Sequence, residues 1–129
     1  MNYYMSKTIK GNFDDTIAKV TELLSEEGFG VLTEIDVRKT MKKKLDVDFK
    51  NYVILGACNP TLALRAFQAE DKVGVILPCN VIVIDQGEGN IEVATMDANN
   101  MMEHIGNPGL NVLALEATER LTRVLDKIK

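Results

Sequence analysis

Val81-Ile82-Val83-Ile84-Asp85-Gln86-Gly87-Glu88-Gly89-Asn90-Ile91-Glu92-Val93-Ala94-Thr95-Met96 reads as two strands joined by a tight turn. Gly87-Glu88-Gly89-Asn90 supplies the residue types that hairpin turns require. So short a connection cannot cross over a sheet, so the pair must be antiparallel. Upstream, the apolar run predicts one long strand from Val73 to Asp85. Pro78 lies inside it and marks an edge or a bulge, because proline cannot donate to a ladder.

Working towards the N-terminus, Tyr52 to Cys58 is a strand with apolar residues on both faces. Asn59 then suits a helix N-cap and Pro60 the first helical position. Leu62, Ala63, Ala66 and Phe67 supply that helix's apolar face. Val31 to Val37 alternates, with Val31, Thr33, Ile35 and Val37 on one side and Glu34 and Asp36 on the other. Arg38 to Leu45 reads as a short helix with Val37, Met41 and Leu45 as its inner stripe. Asn12 caps a helix bearing Phe13, Ile17, Val20 and Leu24, which Gly28 closes in a left-handed conformation. Asn2 to Lys10 opens the chain as a strand.

Towards the C-terminus, Asp97 caps a short helix or turn reaching Ile105. Asn107-Pro108 repeats the cap-plus-proline device. Leu110, Leu113, Ala117, Leu121, Val124 and Ile128 then recur along a long amphipathic helix. That helix has one apolar stripe and should lie on one face of a sheet. The order predicts a two-layer α+β sandwich, with helices packed on one face of a mostly antiparallel or mixed sheet of about five strands. A doubly wound parallel sheet is the alternative. The acids on one side of Val31–Val37 count against it, since such sheets are covered on both faces.

At 129 residues the chain fits a single domain spanning 1–129. Hydrophobic residues at 46% and charged residues at 26% are globular values and exclude a disordered chain. The net charge of -4 gives no support to a nucleic-acid partner. No stretch reaches the roughly 20 apolar residues of a membrane helix. No basic start precedes an apolar run, so no signal peptide is expected. Two cysteines are too few for a disulfide framework. The expected setting is cytoplasmic, with both present as thiols.

Those cysteines are the first candidates for chemistry. Each precedes an asparagine, in Gly56-Ala57-Cys58-Asn59-Pro60 and Leu77-Pro78-Cys79-Asn80-Val81. Cys58 falls where a strand meets a helix N-terminus, whose dipole favours a thiolate. If the two strands ran parallel, both thiols would stand at a similar height. A binding module would use Cys58, Asn59, Cys79 and Asn80 as ligand-binding residues. A thiol-dependent redox protein would use Cys58 as nucleophile and Cys79 to resolve it. Two structural thiols filling core space are the competing reading.

Cys58, Cys79 and His104, the sole histidine, are the candidate metal ligands. Met101 and Met102 would complete a soft set suited to Cu(I). The spacing matches neither Cys-x-x-Cys nor a four-ligand zinc pattern. Arg38-Lys39-Thr40-Met41-Lys42-Lys43-Lys44 is read as a solvated helix face. No phosphate-binding glycine loop and no nucleophile elbow is present, and no cofactor or catalytic residue can be named.

Ile35-Asp36-Val37, Lys43-Lys44-Leu45, Asp48-Phe49, the stretch Tyr52 to Pro60 and Leu77-Pro78-Cys79-Asn80-Val81 together resemble the domain of unknown function 302 family. The resemblance covers nearly the whole chain. It implies a two-layer α+β fold similar to the TATA-binding-protein-like class and a homodimer. It implies no reaction. Tyr52–Leu55 and Val81–Ile84, apolar on both faces, fit a dimer independently, because a second subunit can cover the face that helices leave open. A structural or regulatory dimer without small-molecule chemistry is the further alternative.

Overall fold

Five strands form one antiparallel sheet in the computed structural model, which describes residues 2–129. The chain runs β1 (Tyr4–Lys10), α1 (Phe13–Glu26), β2 (Gly30–Asp36), α2 (Val37–Leu45), β3 (Tyr52–Cys58), α3 (Pro60–Ala69), a 3₁₀ turn (Asp71–Val75), β4 (Cys79–Gly87), β5 (Asn90–Met96), α4 (Ala98–Glu103) and α5 (Pro108–Lys127). The sheet order is β1-β5-β4-β3-β2. The β4–β5 hairpin turns through Glu88 and Gly89, both at positive φ. This is the α+β sandwich that the sequence predicts, and the doubly wound alternative is excluded.

The helices start where their caps say they should. Asn12 Oδ1 accepts from the Asp15 amide at 3.0 Å, and Asp97 Oδ1 from that of Asn100 at 3.0 Å. Asn107 Oδ1 accepts from the Gly109 amide at 2.9 Å. Gly28 closes α1 at φ +83. Helix α5 buries every residue of its expected stripe. The core lies between that stripe, Val20, Leu23 and Leu24 of α1, and the helix-facing row Val53, Leu55, Val81, Val83 and Val93 of the sheet. Arg120 Nη1 donates to the Glu27 carbonyl at 2.9 Å, and Arg123 forks onto the Glu27 carboxylate at 2.8–3.1 Å. This clamp fixes the end of α1 against α5.

Three expectations are corrected. Val73–Pro78 is not strand: the segment turns in a 3₁₀ helix and β4 begins at Cys79, directly after the proline. A residue without an amide hydrogen fits the threshold of a ladder better than its interior. Only Val73 of this run is core, and Val75 projects into solvent.

In β2, a register shift between Val31 and Thr33 breaks the alternation. Val31 pairs with Ala57 while Ile35 pairs with Ile54, three residues away on β3, so Val31 and Ile35 face opposite sides. Helix α2 buries no residue, and Leu45 of its supposed inner stripe is exposed.

Candidate functional site

Ala57 on β3 stands opposite Cys79 on β4, so Cys58 sits one step beyond that pair, where β3 ends and β4 begins. The strands are antiparallel, and the parallel arrangement considered for the thiols is wrong. Both residues nevertheless stand at one junction, because one ends its strand and the other opens the next. Both are free; Cys58 is half-buried and Cys79 buried.

A cavity of about 260 Å³ opens at this junction. Cys58 and Asn59 border it from the β3–α3 turn, and Leu77, Pro78 and Cys79 from the entry to β4. Leu62, Ala63, Ala66 and Phe67 face it from α3, Met102 from α4, and Leu113, Ala114 and Ala117 from α5. Phe29 and Leu32 contribute from β2 and the segment before it. The space exists because alanines stand where larger side chains would close the layer. Ala63 and Ala66 on α3, and Ala114 and Ala117 on α5, each present two small residues one turn apart. Asn107 Nδ2 donates to the Ala69 carbonyl at 2.9 Å and holds the end of α3 against the start of α5. Leu32 and Phe67, 68% and 48% exposed, form an apolar rim. Among the described residues, no charged side chain lines the cavity.

Asn59 is the polar residue of the wall. Its Oδ1 accepts from the Leu62 amide at 3.2 Å and caps α3. The residue is 9% exposed, and its Nδ2 lies beside Gly28, 3.0 Å from where a Cβ would stand there.

Burial pushes the Cys79 thiol up to about 11, and the neighbouring Cys58 adds to the shift. Cys79 therefore stays protonated at neutral pH. A protonated, buried thiol is a poor attacking group, which weighs against a resolving role. The unfolded chain releases this proton from pH 9.0 upwards, whereas the folded chain holds it until about 11. The stabilisation is complete below pH 9 and declines as pH rises towards 11. Over that window the wild type should lose up to about 3 kcal/mol relative to a Cys79→Ala variant. Urea denaturation at pH 8, 9, 10 and 11 measures it; parallel pH profiles for the two proteins would refute the assignment.

The other candidates lie elsewhere. Asn80 is exposed and does not line the cavity. Its neighbour on β3 is Gly56, on the face turned away from the helices. His104 is exposed at the end of α4, and Met101 does not reach the cavity. Among the described residues, no three His, Cys, Asp or Glu side chains are grouped so as to hold a metal ion. The thiols and His104 therefore do not form one set. Met102, read from the sequence as part of a metal set, lines the cavity without Met101; Phe29 and the alanines line it too and the sequence reading assigned them to no site, although the two Ala-x-x-Ala spacings are a signal that could have found the alanines. Among the described residues, no helix is long and apolar enough to cross a membrane.

Residues 5–128 match the family described as domain of unknown function DUF302. A crystal structure of an uncharacterised conserved DUF302 protein from Bacillus stearothermophilus is similar, with 28% identity, a TM-score of 0.91 and full coverage of both chains. No curated protein matches.

Proposed function

The chain belongs to the DUF302 family, whose description names no activity, and from its cavity we propose that it is a binding module for a small, neutral, apolar molecule. The observation that carries this reading is a 260 Å³ cavity without a charged side chain in its wall. An engineered apolar cavity of about 150 Å³ suffices to bind benzene. A larger one suits a bicyclic skeleton. Carboxylates, phosphates and ammonium groups are disfavoured inside it, because no opposite charge repays their desolvation. Cys58, Cys79 and Asn59 border the site, with Asn59 as its orienting group.

The module works as a homodimer in this reading. Ile35, Ile54, Ile82 and Ala94 pair in one row across the sheet face opposite the helical core. Ile35, at the open edge, is 48% exposed. A second copy is a suitable cover for such a row.

One comparison tests both statements. Wild type and Ala66→Leu are titrated with the neutral dye N-phenyl-1-naphthylamine, and native mass spectra are recorded on the same samples. Leucine grows from α3 into the cavity. The variant should bind the dye at least about tenfold more weakly while keeping or gaining up to about 2 kcal/mol of stability, as cavity-filling changes do. Both proteins should fly as dimers at micromolar concentration. Equal dye affinity would remove the cavity from the reading, and a monomer mass would remove the dimer.

A further inference from the structure

We propose that the ligand of this cavity is aromatic: a flat, uncharged ring system, selected over a saturated molecule of the same carbon skeleton by the phenylalanine and sulfur side chains of the wall. The inference rests on the apolar-binding reading above and narrows it from neutral apolar molecules at large to those with π-faces.

Five polarisable side chains line the cavity: Phe29, Phe67, Cys58, Cys79 and Met102. They come from separate parts of the chain. Phe29 precedes β2, Cys58 ends β3, Phe67 lies on α3, Cys79 opens β4 and Met102 lies on α4. The fold thus gathers around one space two of the chain's four phenylalanines and both of its cysteines.

The aliphatic core beside the cavity is built differently. Val53, Val81, Val83, Ile91 and Val93 make up much of the sheet's helical face. Among the described residues, no valine, isoleucine or threonine lines the cavity. Its aliphatic side chains are alanine, leucine and proline. Branching next to the backbone gives a stiff, bulky side chain. The alanines of α3 and α5 offer single methyl groups instead, and these parts of the wall are smooth enough for a flat ring.

The polarisable residues each favour a ring by a named interaction. Phenylalanine packs offset or edge-on against another aromatic, an attraction of ring quadrupoles that a saturated ring cannot return. Methionine sulfur is attracted to an aromatic ring, often at its edge. Cys79, kept a neutral thiol by burial, presents soft sulfur and no charge. The two phenylalanines stand at different depths: Phe29 is 3% exposed and belongs to the core, whereas Phe67 is on the rim. Phe67 Cε1 lies 3.5 Å from where a β-carbon would stand on Gly74, so its ring rests against the 3₁₀ turn. A ligand ring would meet one aromatic on entering and another inside.

The test compares naphthalene with decalin, which share a bicyclic skeleton and differ in saturation. Each displaces N-phenyl-1-naphthylamine from wild type, Met102→Leu and Phe67→Leu. Exchanging methionine for leucine conserves volume and removes the sulfur. Phe67 is half exposed, so its replacement spares the core and serves if Met102→Leu does not fold. Circular dichroism checks both variants.

The quantity read is the ratio of naphthalene to decalin affinity within each protein. It should fall about two- to fivefold in Met102→Leu and about three- to tenfold in Phe67→Leu, the sizes of a sulfur–aromatic and an aromatic–aromatic contact. A ratio unchanged in both variants overturns the aromatic inference while leaving apolar binding intact. Failure of both compounds to displace the dye from the wild type overturns this inference together with the reading it rests on.

Discussion

Replacing Leu121 with alanine lowers the unfolding free energy by about 2–5 kcal/mol, the range for a fully buried leucine whose site cannot collapse. Leu121 has no exposed surface and lies in the middle of α5. That helix alone contributes seven buried residues, so it is the main cover of the sheet's helical face. Relaxation into the void would require α5 to move towards the strands. The two arginines on Glu27 hold α5 to α1, and Asn107 holds its start to α3. The void therefore stays open and the cost falls in the upper part of the range. Urea denaturation should show a lower midpoint with an unchanged slope. A loss below about 1 kcal/mol would mean that α5 is not held as described.

Gly56→Ala is the second large effect. A β-carbon at this position would collide with Thr33 Oγ1 and come within 2.9 Å of Pro78 Cγ. Thr33 lies on the exposed edge strand and can rotate away. The proline ring, fixed in the backbone, cannot. Overpacking of this kind costs about 1–3 kcal/mol. The obstacle has two parts, and a double-mutant cycle separates them. In a Thr33→Ala background the same glycine replacement should cost less, with a coupling of roughly 0.5–2 kcal/mol. What remains is the share of Pro78. Strict additivity in chemical denaturation would show that Thr33 does not obstruct the site.

Local chemistry made much of this fold legible. Asn12, Asn59, Asp97 and Asn107 each announce a helix through a short side chain that satisfies its first amides, and each does so. The α5 stripe is legible because burial on one face of a helix leaves a period of its own. The misreadings are those of non-local cause. Counting by twos from Val31 assumes an unbroken ladder, and the shift before Thr33 is set by pairing with β3. Val73–Leu77 has the composition of a strand and no neighbour to pair with. Cys58, Asn59 and Cys79 stand out in the sequence as candidates bordering a pocket, whereas the alanine wall of the cavity does not. Its alanines are scattered from position 57 to 117 and share a wall only once β3, α3 and α5 are assembled.

The strand order has a consequence for how the chain comes off the ribosome. β1 pairs with β5 alone, so the first strand finds its partner only about 80 residues after its own synthesis, from Lys10 to Asn90. At 5–20 residues per second that is a wait of roughly 4–16 s. The sheet face meanwhile lacks α5, which is made later still. Nascent chains of this protein should thus depend on whatever shields an unpaired strand during translation, and the N-terminal edge should be the last part of the sheet to become resistant to protease.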